Sequence, residues 1–94
     1  MSQTGDAYDW DVVNQELTTD FAEVTYSRTV RKFRIQARGE ITLYHKRRVT
    51  DSNYITIKAG SNHPYEVLLN SSSVSLGFFA TESGTDTLEG LVFF

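Results

Sequence analysis

The chain has no cysteine, one proline, one tryptophan and two histidines among its 94 residues. Without cysteine there is neither a disulfide framework nor a thiolate nucleophile, and two histidines are few nitrogen ligands for a metal. No apolar stretch nears membrane-spanning length. The opening Met1-Ser2-Gln3-Thr4-Gly5-Asp6 lacks the charged-then-apolar pattern of a secretory leader, so the sequence predicts a soluble chain made without export. On that expectation the acceptor triplet Asn70-Ser71-Ser72 is a chance match rather than a glycosylation site. Basic residues are missing from residues 1–27, which carry six acids. Eight of the nine lysines and arginines fall between Arg28 and Arg48, beside a single acid, and five acids with one base follow. The net charge of −3 hides this segregation, which suits surfaces that must match other surfaces.

Hydrophobic residues are 39% of the chain and aromatics 13%, enough for one small core and too many for a disordered chain. Period-2 alternation dominates from about residue 30, and no stretch has helical period. In Lys32-Phe33-Arg34-Ile35-Gln36-Ala37-Arg38 the apolar residues face one way and the charged ones the other. Val30 and Arg31 break that parity, which predicts a strand start or a bulge. Gly39 turns the chain into Ile41–His45, and Asp51-Ser52-Asn53 is turn chemistry. Tyr54–Lys58 alternates with Ile55 and Ile57 inward and stops at Ala59-Gly60; Pro64 heads Tyr65–Leu69. Asn70–Ser73 reads as a loop, Val74–Ala80 as a strand with Val74, Leu76, Phe78 and Ala80 on one face, Glu82–Asp86 as a turn, and Thr87–Phe94 as the last strand. Phe21–Tyr26 reads as a further strand; Tyr8–Val13 is a short strand or a docking arm. Seven or eight short strands with turns every eight to twelve residues predict an all-β fold, a single antiparallel β-sandwich of jelly-roll or Ig-like type. The expected division is an acidic N-terminal arm, 1–17, and a sandwich domain, 18–94.

The candidate functional residues are surface residues. Lys32, Arg34 and Arg38 share a face, and Lys46, Arg47 and Arg48 form a concentrated tip with His45. Such a block can be a face paired across strands, a surface that docks an acidic protein (a copy's own acidic segment included), or a nucleic-acid site. Only Tyr44 is interleaved among these bases, and the sequence pI is about 5.2, which counts against nucleic acid. Tyr8 and Trp10 are either interface anchors or part of a core-closing first strand. Outward Tyr44, Tyr54 and Tyr65 could stack on sugars, although strand propensity alone also accounts for them. In Leu91-Val92-Phe93-Phe94 two residues must look outward, where another part of the chain or a neighbouring subunit covers them.

Chemistry is poorly provided for. His45 reads as a strand-end histidine and His63 as a turn residue, neither with a partner at ligand spacing, so no metal site is expected. Ser71, Ser72 and Ser73 lack a nucleophile-elbow context, and the glycines are too scattered to cradle phosphate. Asp9 and Asp11 would share a face, where solvation is a simpler account than acid–base work. Neither a catalytic site nor a cofactor is expected.

The segments Val30–Gly39 and Tyr54–Gly60, and Gly77-Phe78-Phe79-Ala80 with the closing Thr87-Leu88-Glu89, resemble small β-sandwich virion proteins of tailed bacteriophages. These are head decoration (cement) proteins and head or neck accessories; the likeness spans about residues 18–94 and is one of style rather than of a diagnostic motif. It implies a non-enzymatic structural protein, made in the host cytoplasm and carried in the virion, that oligomerises and bridges the major capsid protein or another virion component. Tyr8, Trp10, Lys32, Arg34, Arg38, Lys46, Arg47, Arg48, Phe93 and Phe94 are the interface candidates. The competing expectation is a tail- or fibre-associated module that binds a receptor glycan. No membrane partner is expected.

Overall fold

A computed structural model describes residues 9–58 and 65–94. Tyr8, His63, Pro64 and the expected stop at Ala59-Gly60 lie outside the described residues. Six antiparallel strands, β1 (Trp10–Leu17), β2 (Ala22–Ala37), β3 (Leu43–Lys46), β4 (Ile55–Ile57), β5 (Tyr65–Thr81) and β6 (Asp86–Phe93), form one open sheet in the order β1-β6-β2-β5-β3-β4. Residues 10–17 of the expected arm are therefore a strand, paired with β6 along its whole length.

The count is six rather than seven or eight because two pairs of expected strands are continuous. β2 has 16 residues and joins Phe21–Tyr26 to Lys32–Ala37; β5 has 17 and runs through Asn70–Ser73, which is not a loop between strands. What looked like interruptions are register shifts. Between the pairs Thr25↔Ser75 and Val30↔Ser73 extra residues sit on β2, and between Val30↔Ser73 and Lys32↔Leu68 they sit on β5. Extra residues on alternate strands bend and twist the pair without ending it. The expected parity break at Val30 is one of these shifts, and Val30 itself is fully buried.

A second correction follows from Gly77. Val24 pairs with Gly77 and Thr25 with Ser75, so one residue of β5 is inserted there, and Gly77 takes φ +109°. The insertion breaks the expected common face of Val74, Leu76, Phe78 and Ala80. Leu76, Phe79 and Ala80 are buried, Phe78 is half-buried and Val74 is exposed. Ile55 departs from expectation too: β4 is a three-residue edge strand, and only Ile57 reaches the core while Ile55 stays exposed.

The core is the inner face of the sheet. Val13, Leu17, Val24, Phe33, Ile35, Leu43, Ile57, Phe79, Leu88 and Val92 come from all six strands, and most are wholly shielded from solvent. No helix covers this face among the described residues. Backbone bonds tie the ends of the sheet: Thr81 N–H donates to the Thr18 carbonyl, and Glu82 N–H to that of Thr42. At the turn before β6, the Asp86 carboxylate accepts the Gly39 N–H at 3.0 Å. That bond holds the 38–42 connection against the start of β6.

Candidate functional site: an outward sheet face and a basic groove

Residues opposite each other in antiparallel strands share a face, so register builds the outer surface row by row. The first row is Trp10–Phe93–Lys32–Leu68 and the second Val12–Leu91–Arg34–Glu66. The third is Asn14–Glu89–Gln36, and Arg38 follows at the end of β2. Five of the ten candidates named from sequence (Trp10, Lys32, Arg34, Arg38 and Phe93) thus stand on one face of β1-β6-β2. Trp10 is 58% exposed, Val12 54% and Leu68 70%. With Leu91 and Phe93, Trp10 and Val12 form an apolar band across β1 and β6, and Lys32 and Arg34 of β2 stand between it and Leu68. A shallow depression of about 310 Å³ lies at the border of the band, lined by Val12, Arg34, Gln36, Glu89 and Leu91.

Charges frame the band. Glu66 sits 3.1 Å from Arg34 and 3.9 Å from Lys32, and Glu89 sits 3.1 Å from Arg38 and accepts from Gln36. The Lys32 ammonium also lies 5.0 Å from the centre of the Phe93 ring. Exposed pairs of this kind contribute only ~0–1 kcal/mol each, so they orient side chains more than they stabilise the fold. Cross-strand pairing accounts for four members of the basic block: Arg28, Lys32, Arg34 and Arg38.

Phe94 faces the other way. Its ring packs on Tyr26 at 5.6 Å, and the Arg28 guanidinium covers it at 3.8 Å. Arg28 in turn bonds Asp9 at 2.6 Å, and the Tyr26 hydroxyl donates to Asp11. Asp9 and Asp11, expected as solvated carboxylates, are engaged on both sides. Phe94 N–H donates to the Asp9 carbonyl, which turns Asp9 toward β6 and leaves the Trp10 and Val12 amides pointing off the free edge of β1. Those two amides donate to the Asp9 and Asp11 carboxylates at 3.0 and 2.7 Å. The Arg28 contact, then the Trp10 amide, holds Asp9 below its ordinary pKa; the Tyr26 hydroxyl, then the Val12 amide, does the same for Asp11. Half of an edge that could pair with another strand is occupied by its own side chains.

The remaining candidates, Lys46, Arg47 and Arg48, stand at the far end of the sheet, in and after β3. Lys46 is spent on the carbonyls of Val49 and Asp51 and on the Phe21 ring at 4.2 Å. Arg47 and Arg48 have no carboxylate within 4.0 Å among the described residues. With Tyr54, Asn70 and Ser71–Ser73 they line a groove of about 530 Å³, whose deepest residues include His45. His45 is buried, not a loose strand end. Its ring stacks on Phe79 at 4.3 Å and meets Phe33 edge-on. Since a carbonyl only accepts, Nε2–H donates to Leu76 at 3.0 Å, and in the neutral ring Nδ1 accepts from the Tyr65 hydroxyl at 3.1 Å. Both nitrogens are satisfied without a proton to spare.

Burial holds the His45 pKa below its ordinary value, against the opposing pull of the Leu76 carbonyl. The unfolded chain therefore takes up the proton first as pH falls, and stability drops from about pH 6.5 down to the folded-state pKa, below which the loss is complete. Thermal unfolding between pH 8 and about 3 should show a melting temperature level above about 7 and declining below it. In His45→Gln that decline should shrink, while the loss below about pH 4 from Asp9 and Asp11 should remain.

Among the described residues no group of three or more His, Cys, Asp or Glu is placed to hold a metal ion. Val12, Leu68 and Leu91 were missed from sequence because face membership across strands depends on register. The alternation Trp10/Val12 against Leu91/Phe93 was the available signal. No family model, no curated protein and no solved structure matches the chain.

Proposed function

We propose that this protein works by adhesion rather than by turnover: a structural, non-enzymatic unit whose outward β1-β6-β2 face docks onto another protein surface. The observation that supports this most is the exposure of Trp10, with Val12, Leu91 and Phe93 in an apolar band bordered by Lys32 and Arg34. A large aromatic amid aliphatic neighbours and a polar rim is the usual composition of an interface centre. The Asp9 and Asp11 carboxylates occupy half of the adjoining β1 edge, which favours docking by the face over strand addition there. The fold is read as a β-sandwich: an open sheet with one dry face and no helix to cover it is most simply closed by bending over itself at the β2/β5 register shifts. Together with the sequence resemblance, these features support a virion component of the decoration or cement kind, set between capsid subunits in many copies whose weak contacts add through avidity.

The test is a pair of surface substitutions, Trp10→Glu with Val12→Glu. Both side chains are more than half exposed, so the melting temperature should move little. Self-association in analytical ultracentrifugation at ~100 μM, and retention on capsids of the encoding virus, should fall at least tenfold, the cost of about 1.4 kcal/mol per contact set. A wild-type chain that stays monomeric and leaves no copies on such particles would end the proposal.

A further inference from the structure

The groove at the β3–β4 end meets the outward face only at Leu68, which lines its near wall beside Val67 and Leu69. Three cations (Lys46, Arg47, Arg48) line it, and no Asp or Glu does among the described residues. In a chain with more acids than bases, a concave surface free of acids selects negative charge. Arg47 and Arg48, like Arg31 and Lys58, have no charged partner among the described residues, and the hairpin that carries the pair is fixed. The Asp51 carboxylate accepts the Arg48 backbone N–H at 3.2 Å, and the Asp51 N–H donates to the Arg48 carbonyl.

The rest of the lining narrows the ligand. Asn53, Asn70, Ser71 and Ser72 all face the groove, and among the described residues their side chains make no hydrogen bond. Ser72 adopts φ +56°, in the segment where β5 carries unpaired residues, so this wall bulges out of the ladder. Opposite stands Tyr54, 51% exposed, its ring braced by Tyr44 at 4.7 Å and Phe21 at 6.1 Å. A fixed aromatic face beside amides and hydroxyls matches a ring with apolar C–H on one side and hydroxyls around its rim. A guanidinium pair supplies a planar fork for a carboxylate. About 530 Å³ is within the ~300–1,000 Å³ range of small-ligand sites. Phosphate groups are less well served, since neither a glycine-rich loop nor a helix N-terminus opens here.

We infer that this groove binds a carboxylated oligosaccharide, with Arg47 and Arg48 on the carboxylate, Tyr54 under a sugar ring, and Asn53, Asn70, Ser71 and Ser72 on the hydroxyls. None of these ligand-binding residues belongs to the docking face, which shares only Leu68 with the groove. Isothermal titration of the full chain would use oligogalacturonate, hyaluronan oligosaccharides and oligosialic acid, with maltooligosaccharide and an oligoglutamate peptide as comparators. At least one of the three acidic sugars should bind tenfold or more tightly than both comparators. Arg47→Gln with Arg48→Gln should weaken it at least tenfold, with an unfolding curve near wild type because both side chains are exposed, and Tyr54→Ala should weaken it severalfold. Trp10→Glu should leave it unchanged. Oligoglutamate binding as tightly as the best sugar would show a general acidic-peptide site and overturn the inference. So would equal affinity for maltooligosaccharide, indifference to the arginine substitutions, or no binding to any of the three acidic sugars.

Discussion

Gly77→Ala should lower the stability of the domain by about 3–5 kcal/mol. Two costs coincide. At φ +109° any side chain strains the backbone, by about 1–3 kcal/mol. The new methyl would also sit on His45 Nε2 and 2.9 Å from the Lys46 carbonyl oxygen. Displacing the imidazole breaks its bond to Leu76 and leaves a buried donor unpaired, which costs about 1–3 kcal/mol more. Against a total stability of roughly 5–15 kcal/mol this is severe. At about 4 °C or more per kcal/mol for a domain of this size, the melting temperature should fall by at least about 12 °C. Gly84→Ala is the control: φ is +62°, but the methyl would meet only the Ile41 Cδ1 atom at 3.7 Å. A loss of about 1–2 kcal/mol there, beside the larger loss at Gly77, would separate collision from strain. Equal losses at both sites would mean that His45 is not wedged as described.

Gly90→Ala should cost about 3 kcal/mol by a different route. Gly90 has no positive φ; its problem is proximity. The added methyl would overlap the Arg34 carbonyl oxygen and come within 2.6 Å of Ile35 Cγ2 and 3.2 Å of Ile35 Cα. Backbone cannot swing aside as a flexible side chain can, so β6 must lift from β2, at the upper end of what overpacking costs. Because Leu91 and Arg34 flank this contact on the outer side, the face proposed to dock should loosen as well. Urea unfolding would read the stability loss, and amide hydrogen exchange should show β6 protection falling more than that of β3. An unchanged midpoint would mean that the strands part freely at this point.

Much of the sheet could be read from alternation alone. Phe33 and Ile35 are buried where parity put them, and the turns at Asp51–Asn53 and Glu82–Asp86 stand where short polar residues and glycine cluster. What alternation could not show was continuity. A register shift such as that at Val30 and a loop both appear in sequence as broken parity, so β2 and β5 were each split in two. Gly77 misled for a related reason, since one inserted residue exchanges the faces of everything after it. The face proposed to dock was half legible. Charge segregation and the lone tryptophan pointed to Trp10, Lys32, Arg34 and Arg38, and alternation set Lys46, Arg47 and Arg48 apart as a tip. What strand order adds is that this tip stands at the other end of the sheet.

The two aspartates on the rim of β1 have a consequence for behaviour in bulk. Sheet proteins held at high local density tend to grow fibrils when a bare strand meets a bare strand, because each addition exposes another. Here the leading amides of β1 are already saturated, by carboxylates that Arg28 and Tyr26 lock in place. Fibril-like growth through this half of the rim is therefore disfavoured, while the Asn14–Glu16 half carries no such cover among the described residues.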